Sequence, residues 1–323
     1  MNLIELFSDH TFRTVLMGTM SIGAISGAIG CFAYLRRQSL IGDVVSHSSL
    51  FGIMLFFLGS YWITGQGSKS LFVLIPGAIV AGVTALLMTR LIVGRTNVRE
   101  DSGLGVMLAI FFGSGIMLLR LTQRTDPPIP GQRGLEDYLF GMAASMTQSD
   151  LYMIAIVGLI SIAALILYWK ELKLFTFDPL LAQSLGFRIK VLEVLLIAIL
   201  VCGIVIGIQA IGVVLMVAML ITPAAAARQW TQTLGKMVSL AACIGALCGA
   251  IGTIASAQIS NVPTGPIIVL AAVSIFVFSL AFAGERGFMV RRSREVKEFA
   301  KRAERKQQEL TDSGSSQNPG ATQ

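Results

Sequence analysis

Charge is what this chain of 323 residues has least of. Only 13% of its residues are Asp, Glu, Lys or Arg, about half the soluble average of roughly 25%, while 54% are hydrophobic. The shortage is concentrated in long runs. Val194–Ala227 and Met237–Gly284 contain no charged side chain over 34 and 48 residues. No soluble fold keeps such runs. A hydrocarbon core about 30 Å thick is crossed by roughly 20 helical residues, so each run is too long for one span and fits two.

Other shortages exclude further classes. Cys31, Cys202, Cys243 and Cys248 all lie in apolar segments, and Cys243 and Cys248 are not at a metal-ligand spacing. All four read as small buried apolar residues and say nothing about redox compartment. The net charge of +7 sits in loops and in the tail, so no nucleic-acid partner is expected. There is no HExxH zinc-protease motif and no GxxxxGK[ST] phosphate loop, since Gly65–Ser70 reads GQGSKS. A catalytic dyad for an intramembrane enzyme is also missing. The chain is therefore not expected to be an enzyme, and any ATP hydrolysis belongs to another polypeptide. Glu5 and Asp9 stand where a signal peptide would have its basic n-region, so no cleavable leader is expected.

What is present is a ladder of apolar segments. Charge-free stretches cover Thr14–Leu35, Ser48–Ser68, Ser70–Thr89, Ser102–Leu119 and Leu151–Trp169. With the two long runs divided, around Gly207–Gly212 and at Ser260–Pro266, the reading is an all-α polytopic membrane protein of nine spans. Residues 1–285 form the transmembrane domain, and 286–323 a charged tail expected to be disordered beyond Thr311. Within the tail, residues 291–310 read as a solvated helix. They serve first as a topology-fixing element, with contact to anionic membrane lipid or a cytoplasmic partner as the other reading.

Basic residues set the expected orientation. With Arg36/Arg37, Arg90–Arg99, Lys170–Lys190, Arg228–Lys236 and the tail inside, the inside carries 20 Lys and Arg and the outside five. An odd number of spans then puts the N-terminus outside and the C-terminus in the cytoplasm. Arg120–Ser149 becomes a long external loop, and the apolar residues of 134–145 are expected along the membrane surface. Lys170–Glu193 becomes a cytoplasmic segment with a short helix signal. Asp178 suits the N-cap, Pro179 the first helical position and Gly186 the residue after Leu185. An isolated helix of about two turns between spans needs a partner to hold it.

The sharpest polar signal is GDVVSHSSLFG, residues 42–52. Asp43 and His47 are four apart, so a helix projects both from one face, and ionisable groups at the start of an apolar segment are functional candidates. An imidazole and a carboxylate together suit Mn²⁺, Fe²⁺ or Zn²⁺. The bland reading has Asp43 capping the helix amides and His47 making an interhelical hydrogen bond. Spacing alone leaves the two readings level. Glu100 and Asp101 read as acids favoured at a helix N-terminus.

In order along the chain, GDVVSHSSLFG (42–52), EDSGLGVMLAIFFGSGIML (100–118), LEDYLFGMAASMTQSDL (135–151), FDPLLAQSLGFRIKVLE (177–193), QAIGVVLMVAMLITPAAAAR (209–228) and NVPTGPIIVL (261–270) resemble the ABC-3 family of metal-ion permeases. The resemblance spans about Phe12 to Ala283. Phe51, where the family often has Pro, and Leu180, where it usually has Glu, depart from the pattern. The resemblance implies a type II ABC importer in a bacterial cytoplasmic (inner) membrane. It would have two permease subunits, identical or paralogous, two cytoplasmic ABC ATPases and an extracytoplasmic metal-binding protein. It puts Asp43 and His47 in the pathway of a transported divalent metal, with no stably bound cofactor. It makes 177–188 the coupling helix, with Asp178, Pro179, Ala182, Leu185 and Gly186 at the ATPase interface. Without a cysteine nearby, ligand softness favours Mn²⁺ or Fe²⁺ slightly over Zn²⁺. The rival readings are a permease for metal chelates of the siderophore or cobalamin type and an ion-coupled secondary carrier. The carrier would favour inverted repeats, which are not evident here.

Overall fold

The computed structural model of the protein describes residues 9–36, 39–132, 134–135, 141, 143, 146–259 and 262–283. The tail helix expected at 291–310 and the disorder expected beyond Thr311 fall on residues outside them. Among the described residues the secondary structure is helical throughout: α1 His10–Leu35, α2 Ser39–Thr64, α3 Leu71–Arg95, α4 Glu100–Gln123, α5 Gln148–Leu167, α6 Trp169–Phe177, α7 Pro179–Ser184, α8 Ile189–Ile211, α9 Val213–Trp230, α10 Leu234–Gln258 and α11 Thr264–Phe282. Nine of these, all but α6 and α7, are long and apolar enough to cross a membrane. The all-α polytopic reading holds.

Both long runs divide, each for a local reason. The first breaks at Gly212 alone, whose φ of +95° is closed to most L side chains. Met216 of α9 then lies against Gly207 of α8, so the chain turns straight back on itself. The second breaks at 259–263, ahead of the expected Ser260–Pro266. Pro263 takes the N-cap, and Gly265 and Pro266 fall in the first turn of α11. Proline is tolerated there because those N–H groups have no intrahelical acceptor.

Backbone packing is close along the whole seam between α1 and α10. Gly23 faces Gly245, Gly27 faces Ala241 and Gly249 faces Thr19, and a Cβ on any of these glycines would strike the facing backbone carbonyl. Small residues let membrane helices approach this way, where lipid supplies no hydrophobic drive for their association. Thr19 Oγ1 and Thr253 Oγ1, both buried, share a hydrogen bond of 2.8 Å across the same seam. At the periphery, α4, α5 and α11 are the least buried spans; Leu159 of α5 and Leu270 of α11 are exposed.

The bundle has two distinct ends. At one, Arg90 of α3 pairs with Glu193 of α8 at 2.7 Å, Arg36 lies over Phe175 of α6 and Gly235 of α10 sits beside Trp169. At the other, Gly67 N–H donates to the Pro130 carbonyl, and His10 shares a hydrogen bond with Gln148. The 134–145 segment belongs to this second end, and its described part is not laid along a membrane surface as expected. Leu135 and Ala143 are buried, and Gly141, at φ +88°, packs against the backbone of Ala210 and Ile211. Residues 136–140, 142, 144 and 145 of that segment lie outside the described ones. Helix α6 was not anticipated as a separate element. Its signal is present in WKELKLFTF, where Trp169, Leu172 and Phe175 recur every three residues, though two lysines and a glutamate lie between them.

Candidate functional site

Asp43 and His47 both lie on α2 and are both partly exposed, while Val44, Val45, Ser46, Ser48, Ser49 and Leu50 around them are buried. Four residues apart, they stack one turn above the other. The helix begins at Ser39 and has no acid in its first turn. Asp43 is therefore past the four amides that a cap would satisfy, and the capping reading fails. Among the described residues His47 makes no interhelical hydrogen bond either. His47 Nδ1 is buried without a hydrogen-bond partner, and the ring instead meets Phe112 of α4 edge-on, with centroids 4.5 Å apart. One turn along, Phe51 meets Phe111 in the same way at 5.5 Å. The residue that departs from the family's proline thus extends an aromatic seam between α2 and α4, and α2 runs through it unbroken.

A buried imidazole nitrogen with no partner is costly unless something occupies it. Neutral imidazole and carboxylate are both good ligands for divalent transition metals. Among the described residues no third His, Cys, Asp or Glu joins the pair. Among the described residues the pair is therefore an open arrangement of two side chains. Ser46, fully buried, has an unpartnered Oγ next to the pair, whereas Ser48 and Ser49 bond back to the Val45 carbonyl. His10 is at the far end of the bundle and takes no part. Glu100 and Asp101 occupy the first turn of α4, the position expected for them.

The second set of residues forms the short helix α7. Asp178 caps it, its carboxylate accepting from Leu181 N–H at 2.9 Å, and Pro179 opens the first turn. Gly186, at φ +87°, closes it: Phe187 N–H donates to the Ala182 carbonyl and Gly186 N–H to the Gln183 carbonyl. This paired closure is the usual exit through a left-handed glycine. Ala182 is a correction. Its side chain is fully buried within the chain itself, so it seats the helix and offers no contact surface. The exposed apolar residues are Leu180, Leu181, Leu185 and Phe187, with Leu180 78% and Leu185 62% exposed. Leu180, where the family usually has an acid, belongs on that surface; sequence reasoning left it out.

Charges gather at the same end. Burial lowers the pKa of the Arg36 guanidinium, the carboxylates of Glu193 and Glu100 oppose that, and Arg90 adds to it. Four elements, the end of α1 and helices α3, α4 and α8, therefore bring charge together near the start of α2.

The chain matches the family model described as the ABC 3 transport family over residues 8–283. It is 39% identical to the zinc transport system membrane protein TroC of Treponema pallidum, over 89% of this chain and 94% of that protein. It is 42% identical to the manganese transport system membrane protein MntC of Bacillus subtilis, over 84% of this chain but only 61% of that longer protein. Among solved structures, PsaBC from Streptococcus pneumoniae in complex with Fab superposes with a TM-score of 0.77 at 29% identity, covering 88% of this chain and 98% of that one. An inward-facing putative metal-chelate type ABC transporter has the same fold, with a TM-score of 0.60 at 17% identity over 83% of this chain and 85% of that one. With a family match across nearly the whole membrane-spanning part, this multi-pass membrane protein belongs to the ABC 3 transport family.

Proposed function

We propose that the chain is the membrane-spanning permease subunit of an ATP-driven importer of divalent transition-metal ions, with Asp43 and His47 in the translocation pathway. The observation that carries this reading is the open pair itself: an imidazole with an unpartnered buried nitrogen, one turn from a carboxylate that caps nothing. A second permease subunit, identical or paralogous, completes the pathway and brings its own pair. The site then has two carboxylates and two imidazoles. Few ligands and modest affinity suit transport, where the ion must enter favourably and leave easily. The relatives named for zinc and for manganese support a metal cargo. Ligand softness keeps Mn²⁺ and Fe²⁺ slightly ahead of Zn²⁺.

ATP is hydrolysed on separate cytoplasmic subunits, which seat on α7 through Leu180, Leu181 and Leu185, and an extracytoplasmic metal-binding protein delivers the ion. Reconstitution tests this reading. Vesicles holding the permease and its ATPase are expected to accumulate Mn²⁺ on addition of ATP. Leu185→Asp is expected to leave ATP hydrolysis running while uptake falls by about tenfold or more, because a charge on an exposed apolar contact weakens docking without disturbing the bundle. ATP-driven uptake by the chain without an ATPase would refute the assignment. Uptake of a metal chelate, but of no free ion, would favour the chelate reading.

The protein lies in a bacterial cytoplasmic membrane with the N-terminus outside and the C-terminus inside. Cysteine-accessibility labelling is expected to find positions near Arg95, Lys173 and Lys236 from the cytoplasm, and near Gly67, Gln132 and Val262 from outside. The warrant is the split of 20 basic residues against five. Labelling of Gln132 from the cytoplasm would reverse the orientation.

A further inference from the structure

Helices α6 and α7 form one unit. Only Asp178 separates them; its N–H donates to the Leu174 carbonyl at 2.8 Å, and its carboxylate caps α7. That unit is not a continuation of α5, since the chain bends at Tyr168 (φ −98°, ψ 24°). It is held instead against the last turns of α1. Phe32 and Arg36, four apart on one face of α1, meet Trp169 and Phe175 of α6. The Phe32 and Trp169 rings are edge-to-face at 5.9 Å, and the Arg36 guanidinium lies 3.9 Å over the Phe175 ring. Phe175 and Leu172 are both buried. Arg36 is also the C-cap of α1, three positions before α2 begins at Ser39, and Asp43 lies in the second turn of α2. Glu100, one of the acids facing Arg36, starts α4, the helix whose Phe112 touches His47.

Resting on the permease reading above, we infer that Arg36 and Phe175 form the joint through which movement of α6–α7 reaches the end of α1 and, through it, α2, the helix that carries Asp43 and His47. Arg36 is a positioning residue: it touches neither metal nor ATP. A planar guanidinium over an aromatic face is attracted by the ring quadrupole, most strongly where water is excluded. The contact is directional, so a shift of α6 drags or releases the end of α1. Spatial intermediacy alone does not establish coupling, and the joint therefore makes a claim of non-additivity.

The test uses the assembled permease–ATPase complex in vesicles, with Mn²⁺ as cargo. Arg36→Gln and Phe175→Leu are each expected to lower ATP-driven uptake by about tenfold while assembly and basal ATP hydrolysis stay within about twofold of wild type. The double variant is expected to be no worse than the poorer single, because both remove the same contact. Arg36→Lys keeps a cation over the ring and should restore uptake to within about threefold of wild type. Singles at wild-type uptake, losses that multiply in the double variant, or an Arg36→Lys as poor as Arg36→Gln would each overturn the joint. If Phe175→Leu does not assemble, Arg36→Gln and Arg36→Lys decide the matter by the same criteria. A wild-type complex without ATP-driven uptake would instead sink the permease reading; wild-type uptake that Arg36→Gln and Phe175→Leu share sinks only the joint.

Discussion

Asp43→Asn is expected to lose at least about tenfold in metal uptake while the complex assembles and hydrolyses ATP as before. The substitution keeps shape and removes charge. It also removes no cap, because α2 starts at Ser39 and the carboxylate has no free helix amide to accept from. Even partners one layer away from a metal change affinity by about 10- to 100-fold when mutated, and a direct ligand should matter at least as much. His47→Ala is the companion variant. It sacrifices the edge contact with Phe112, so a modest loss of thermal stability is expected with it, whereas Asp43→Asn should show none. Uptake kinetics with Mn²⁺, Fe²⁺ and Zn²⁺ as separate substrates check both variants and rank the cargo. Wild-type uptake by both would remove the pair from the pathway and leave His47 as an aromatic-packing residue of the α2–α4 seam.

Gly245→Leu is expected to have the other large effect, this time on the fold. The residue faces Gly23 so closely that even a single Cβ meets the opposing carbonyl. Neither backbone can move without parting α1 from α10, the pair that also carries the Thr19–Thr253 hydrogen bond. Overpacking a well-packed core costs about 1–3 kcal/mol. A rigid backbone contact belongs at or above the top of that range, a large share of a total stability of about 5–15 kcal/mol. The measurement is thermal unfolding and yield of the detergent-solubilised complex. Gly59→Leu and Gly105→Leu are the controls, because a Cβ at either position meets nothing within 4 Å. They should be neutral or slightly stabilising, since glycine is a poor residue inside a helix. Equal losses at Gly245 and Gly59 would mean that insertion of any leucine, rather than close approach, is the cause.

The sequence carried most of the architecture because the membrane punishes deviation. An unpaired backbone group or a stray charge in hydrocarbon is so costly that spans must be helical and nearly free of charge. Nine apolar spans, a division around Gly207–Gly212 and the capped helix at Asp178–Gly186 follow from that rule and from turn chemistry, with no tertiary information. The candidate pair was legible for the same reason: Asp43 and His47 stand out where polar groups are scarce. What helix periodicity does not say is which face a neighbour will cover. Ala182 was read as a contact surface, but it is turned inward. Leu180 stands out in the sequence only as a departure from the family pattern, yet it is exposed, because a six-residue helix has no periodicity long enough to show its buried side. Helix α6 was hidden for a related reason: the apolar residues of its buried face, Trp169, Leu172 and Phe175, are interrupted by charges, and that face shows only once α1 covers it.

The bland account of the pair, a cap beside a hydrogen-bonded histidine, was likewise level with the metal account until the packing was known. Only tertiary structure put the start of α2 at Ser39, Phe112 beside the imidazole and no partner on Nδ1. The sequence by itself determined that the chain crosses the membrane, how many times, and which residues are chemically able to hold a metal. Those properties follow from each segment's own transfer free energy and hydrogen bonding. The tertiary structure decided which side chains meet across helices: the α1–α10 glycine seam, Arg36 over Phe175 and the open face of Asp43 and His47. Such contacts depend on residues far apart in the chain, and between helices that share a hydrophobic solvent only close packing and directed polar contacts choose among the possible pairings.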